Sequence, residues 1–181
     1  MEIKRDLLLK RLIDLRHNGM IKVVTGMRRC GKSYLLFNLF TDALKAKGVD
    51  EENIVQINLE DRRNKSLRDP DKLLAYIDSR LKDNKMYYIL LDEVQLVNEF
   101  EDVLNSYLQV KNADVYVTGS NARFLSKDVI TEFRGRGLEI RVHPLSFSEI
   151  RGARPDEPIE QLWIEYITYG GLPQVITMNS D

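Results

Sequence analysis

Eight residues constrain this chain more than any others: Gly26-Met27-Arg28-Arg29-Cys30-Gly31-Lys32-Ser33. Glycine, four residues, glycine, lysine and a hydroxyl residue form the phosphate-loop (Walker A) pattern. Its surroundings suit it. Met20 to Thr25 reads as a buried strand, and Lys32 to Lys47 as a helix with Leu35, Leu36, Leu39, Phe40 and Leu44 inward. Gly48 stops that helix. A strand feeding a helix through such a loop commits a chain to βα units and a mainly parallel sheet.

The loop chemistry explains its residue types. Backbone N–H groups must turn inward to make an anion nest, which needs glycine at the tight positions. The following helix adds its positive N-terminal end. Gly26 to Tyr34 are therefore the candidate cofactor-binding residues: Gly26, Met27, Arg28, Arg29, Cys30, Gly31, Lys32, Ser33 and Tyr34. Lys32 reaches β- and γ-phosphates, and the Ser33 hydroxyl is a candidate Mg²⁺ ligand. Arg28 and Arg29 read either as phosphate contacts or as solvated loop residues. Cys30 reads as a small loop residue rather than a reactive thiol.

The rest of the chain repeats the alternation. Ile3 to Leu15 has helical spacing. Ile54 to Leu59 reads as the second strand, Tyr87 to Asp92 the third, Asp114 to Thr118 the fourth and Leu138 to His143 the fifth. Asp69-Pro70 opens a helix as N-cap and first residue. Asn98 with Glu101, and Ser146 with Glu149, are capping-box spacings. Pro155 to Pro158 reads as a hinge before a helix over Ile159 to Tyr169. Tyr88-Ile89-Leu90-Leu91 is apolar on both faces, as an interior parallel strand is. The second and fifth strands alternate apolar and polar residues, which predicts the sheet edges.

Tyr88-Ile89-Leu90-Leu91-Asp92-Glu93 also has the Walker B form, four apolar residues and then two acids. The strand tip carries both acids toward the loop. Asp92 is the second candidate Mg²⁺ ligand, and Glu93 the candidate general base for water. A base for water suits a hydrolase. A small-molecule kinase, the second alternative, must exclude water. Neither Asn64-Lys65-Ser66-Leu67 nor Asn84-Lys85-Met86-Tyr87 completes a guanine-reading Asn-Lys-x-Asp.

Further candidates follow the fourth strand. Ser120 or Asn121 either orients the attacking water or caps the short helix Ala122 to Leu125. Arg136, within Arg134-Gly135-Arg136-Gly137, reads either as an arginine finger or as a solvated turn residue. Glu60 and Asp61 read mainly as a solvated loop. Lys4, Arg5, Lys10 and Arg11 read as the solvated face of the first helix in preference to a nucleic-acid contact.

Charge and cysteine content narrow the class. Lys plus Arg total 27 and Asp plus Glu 28, a net charge of −1, which argues against a nucleic-acid partner for this part. No apolar run approaches the ~20 residues of a membrane span. One cysteine leaves no intramolecular disulfide. The N-terminus lacks a secretory pattern, so a cytoplasmic location is expected.

Taken with Leu90 to Gln95, Thr118 to Arg123, Gly135-Arg136 and Pro144 to Glu149, the loop resembles that of a prokaryotic AAA+-like P-loop ATPase family. Its members join an N-terminal ATP-binding domain to a poorly characterised C-terminal domain. The resemblance covers roughly residues 1 to 150. It implies a three-layer α/β P-loop NTPase sandwich with about five parallel strands in the order 5-1-4-3-2. It implies ATP and Mg²⁺ as cofactors, Glu93, Lys32, Asn121 and Arg136 as catalytic residues, and ATP or ADP as ligand. Residues 1–154 are expected to form the ATPase domain, and 155–181 the helical start of a truncated C-terminal region. A homo-oligomer or the missing C-terminal domain is the expected partner. The alternative is a nucleotide-operated switch with little turnover of its own.

Overall fold

The computed structural model describes residues 3–119 and 135–178. Five parallel strands form one sheet: β1 (Ile21–Thr25), β2 (Ile54–Asn58), β3 (Tyr87–Asp92), β4 (Ala113–Thr118) and β5 (Gly137–Arg141). Their spatial order is β2-β3-β4-β1-β5, the expected 5-1-4-3-2 read from the other edge. All six residues of β3 are buried, whereas β2 and β5 carry exposed positions and lie at the edges.

Period-two alternation sends successive side chains into different layers. Tyr87, Ile89 and Leu91 join Val115, Val117, Val55 and Ile57 on one face. There α3 (Pro70–Asp78) contributes Leu73 and Ile77, and α4 (Phe100–Tyr107) contributes Phe100, Val103, Leu104 and Tyr107. Tyr88, Leu90, Tyr116, Val24 and Ile140 face the other way. They meet Leu12 of α1 (Asp6–Asp14) and Leu35, Leu36, Leu39, Phe40 and Leu44 of the helix after the loop, α2 (32–46). Helix α2 has π spacing through Leu35–Phe40. The three layers are those of the P-loop NTPase α/β fold.

Local signals mostly act as read. Asp69 caps α3, its carboxylate accepting from the Lys72 N–H, with Pro70 at the first position. Ser146 and Glu149 form a capping box on α5 (Phe147–Ala153). The Asn98–Glu101 box does not form. Helix α4 starts one residue later, and its N-cap is Glu99 at φ 52, with no side-chain cap. The first helix starts at Asp6 rather than Ile3, and Ile3 packs with Leu145, Ile150 and Ile176 in a small separate cluster. Around Pro155–Pro158 the chain makes a turn tied by side chains. Arg154 pairs with Glu157 and, at 2.9 Å, with Glu165 of α6 (Ile159–Tyr169), while Arg151 donates to the Glu157 carbonyl at 2.7 Å. Phe147 meets Trp163 edge-on across the same junction, with centroids 5.0 Å apart. Helix α7 (Pro173–Met178) follows, and Ile176 returns to the Ile3 cluster.

Candidate functional site

The C-terminal ends of β1, β3 and β4 deliver three groups of side chains to one place. Parallel register requires this, because Leu91 of β3 lies beside Val117 of β4, and Val24 of β1 beside Thr118. The loop leaving β1 takes its shape from two glycines. Gly26 has φ 147, and a Cβ there would collide with the Val142 carbonyl oxygen. Gly31 has φ 95 at the N-cap of α2. Arg29 also has positive φ, 66.

Lys32 is buried, and its ammonium bends back over the loop, donating to the carbonyls of Gly26 (3.2 Å) and Met27 (3.1 Å). The Ser33 hydroxyl donates to Asp92 Oδ1 at 2.8 Å. The Thr118 hydroxyl donates to the same oxygen at 2.5 Å and accepts the Glu93 N–H at 3.0 Å. Thr118 thus joins both acids of the strand tip, a role the sequence reading missed. Its signal is position: the last residue of the strand between β1 and β3.

Burial pushes the Asp92 carboxyl above the usual carboxylate range, against the hydrogen bonds from Thr118 and Ser33. A buried carboxylate beside a serine hydroxyl is a hard oxygen donor set of the kind that would suit Mg²⁺. Glu93 sits at φ 57, a conformation that costs a non-glycine residue energy and that clusters at functional sites. Gln95 donates its amide N–H to Glu93 Oε2. The Gln95 Oε1 atom is buried and has no hydrogen-bond partner among the described residues.

The other loop residues divide. Arg28 is exposed and reaches Glu60 at 3.4 Å, so Glu60 stands at the rim of the loop. Asp61 instead caps the turn after β2, and the hydrogen bonds from Arg63 hold its carboxyl down to about 2. Cys30 is wholly buried, and burial pushes its thiol up, against Lys32 and Arg5; it is a packing residue. Met27 and Tyr34 are exposed. Tyr34 lines a slot of about 160 Å³ beside the loop, with Ile3, Arg5, Cys30, Gly31, Leu145 and Pro173.

One expectation changes, and one left open gains a position. Arg5 is not on a solvated face: it is 6% exposed and bonded to the loop. Arg136 is not beside the loop of its own chain. Its carbonyl accepts the Ile21 N–H at 2.9 Å, and Gly137 pairs with Ile21, so it stands at the start of β5. Five strand residues separate the two edges of the sheet there, about 16 Å. Ser120, Asn121, the helix expected over Ala122 to Leu125, and Arg134 lie outside the described residues.

Fold and loop together define a P-loop nucleotide-binding domain of the α/β class. Residues 18–151 match the family model described as AAA domain, and the chain belongs to that family. It is 34% identical over 179 residues to an uncharacterized protein of Haemophilus influenzae, covering 96% of this chain and 44% of that one. An uncharacterized protein of Methanocaldococcus jannaschii is 29% identical over 174 residues, covering 89% of this chain and 37% of its own length. The chain thus spans less than half the length of these two relatives. Among solved structures it resembles C. elegans PCH-2, with TM-score 0.64 and 17% identity, over 95% of this chain and 56% of that one. No helix among the described residues is long and apolar enough to cross a membrane.

Proposed function

We propose that this domain binds ATP with Mg²⁺ and hydrolyses it to ADP and phosphate. The observation that carries the reading is the convergence of Ser33 Oγ and Thr118 Oγ1 on Asp92 Oδ1, one residue from Lys32 and one from Glu93. Phosphate oxygens replace the Gly26 and Met27 carbonyls as partners of the Lys32 ammonium. The loop N–H groups hold the same oxygens. Ser33 and Asp92 would hold Mg²⁺, which would supply positive charge beside the phosphates. Glu93 accepts the proton of the attacking water, with Thr118 fixing the backbone from which its side chain departs. Most of the catalysis is positioning and charge stabilisation.

The slot at Tyr34, Leu145 and Pro173 supports a flat, largely apolar base next to the phosphates, which is the reading we adopt for adenine. Arg136 acts, on this reading, on the nucleotide of a second copy of the chain, since its own loop is out of reach. The contact between Gln95 and Glu93 favours a second reading, a nucleotide-operated switch, because it occupies one oxygen of the base.

Titration with ATP, with and without Mg²⁺, tests the binding half. The parent chain should bind far more tightly with Mg²⁺, and Asp92→Asn should lose that difference. Equal binding by Asp92→Asn and the parent, at every Mg²⁺ concentration, would remove Asp92 from the metal site.

A further inference from the structure

Arg5 precedes α1 and shares no motif with the phosphate loop, yet it is 6% exposed and spends three donors on three separate segments. Nη1 donates to the Cys30 carbonyl at 3.0 Å, Nη2 to the His143 carbonyl at 2.8 Å, and Nε to Glu149 Oε1 at 3.0 Å. The guanidinium is a planar fork, so three such bonds fix both its position and its orientation. Glu149 is fixed in turn. The Ser146 N–H donates to its carboxylate at 2.7 Å and the Ser146 hydroxyl at 2.9 Å. Helix α5, Glu149, Arg5 and the loop therefore form one hydrogen-bonded chain.

The loop end of that chain is the informative one. A peptide group is planar, so the Cys30 carbonyl and the Gly31 N–H point in opposite directions. Holding the carbonyl outward on Arg5 turns the Gly31 N–H the other way. This peptide is also the one in the loop most free to flip. Flipping it changes ψ of Cys30 and φ of Gly31, and glycine accepts φ of either sign. Gly31 already stands at φ 95.

We propose that Arg5 is a positioning residue of the phosphate loop: by holding the Cys30 carbonyl, it locks the Cys30–Gly31 peptide in the orientation that presents the Gly31 N–H to phosphate. The inference rests on the nucleotide-binding reading above and assigns Arg5 no contact with the phosphates. Lysine cannot substitute, because one nitrogen cannot occupy the three donor positions at once. Glutamine at 149 can substitute in part, because its amide oxygen still accepts from Arg5.

The test uses the 181-residue chain as parent, Arg5→Lys, Arg5→Met and Glu149→Gln. Each is titrated with Mg-ATP and with Mg-tripolyphosphate below its own Tm. Tripolyphosphate has no base or sugar and so reads the loop alone. Arg5→Lys and Arg5→Met should weaken tripolyphosphate by roughly tenfold or more, for one charge-assisted bond, and ATP by at least that factor, since Arg5 also lines the slot read for the base. Glu149→Gln should weaken both less, in the same proportion. Two results overturn the proposal: a folded Arg5→Lys chain that binds tripolyphosphate like the parent, or one that loses ATP affinity alone, which would make Arg5 a base contact. A parent that binds neither ligand overturns the nucleotide-binding reading itself, and this inference with it.

Discussion

Lys22 offers the most demanding test of how the sheet is held. Its side chain is wholly buried, and so nearly is Asp114, at 3% exposure. Their strands, β1 and β4, are the neighbours that bring the loop and Thr118 together. Lys22 Nζ donates to Asp114 Oδ1 and, at 2.9 Å, to the Met20 carbonyl. Tyr116 Oη and the His17 N–H donate to Asp114 Oδ2 at 3.0 and 3.1 Å. Burial pushes the Lys22 ammonium below the ordinary lysine range, against the pull of Asp114. Lys22→Met keeps much of the volume and leaves Asp114 a buried charge without its cation. Removing one partner of a buried pair costs about 3–5 kcal/mol. Two donors to Asp114 survive, so about 3 kcal/mol is expected, roughly 6–12 °C in Tm for a chain of this size. The double variant Lys22→Met/Asp114→Asn removes both charges and should recover at least half of that loss. Thermal unfolding of the three proteins at neutral pH measures both numbers. A loss under about 1 kcal/mol in Lys22→Met would refute the pair as described.

Two further outcomes follow from local geometry. Gly26→Ala places a side chain at φ 147, where strain alone costs about 1–3 kcal/mol, and drives its Cβ into the Val142 carbonyl. A lowered Tm and lost ATP affinity are expected together; an unchanged ATP titration would contradict the loop geometry. Glu149 concerns acid stability. Burial raises its carboxyl, but the hydrogen bonds from Ser146 and Arg5 outweigh it and hold the group below the usual glutamate range. A depressed carboxyl binds fewer protons folded than unfolded. Its contribution is therefore present above the unfolded value of about 4.3 and lost as pH falls through the folded one. Urea unfolding from pH 5 downward should fall less steeply for Glu149→Gln than for the parent, and equal slopes would contradict the clamp.

What the sequence disclosed and what it withheld divide by range. The loop, the buried run Tyr87–Asp92, and the caps at Asp69 and Ser146 are local signals, and each acts where it was read. Asn98 and Glu101 have capping-box spacing, but the backbone takes a left-handed residue at Glu99 instead, which spacing does not encode. The π stretch of α2 leaves no mark on its apolar period. Arg5 was illegible because its partners lie 25, 138 and 144 residues away, and from sequence a buried arginine looks like a solvated one. Thr118 needed the strand order before its place beside Asp92 had meaning.

Hydrolysis with Glu93 as the base is tested most directly by one substitution. Glu93→Gln keeps the size of the side chain and removes its basicity, while Lys32, Ser33 and Asp92 remain in place. Phosphate release at saturating Mg-ATP should fall by about 10²–10⁴-fold in the variant, the usual worth of a general base, with ATP affinity close to the parent's. Release at the parent rate by Glu93→Gln, or no release above background by the parent chain, would contradict the account.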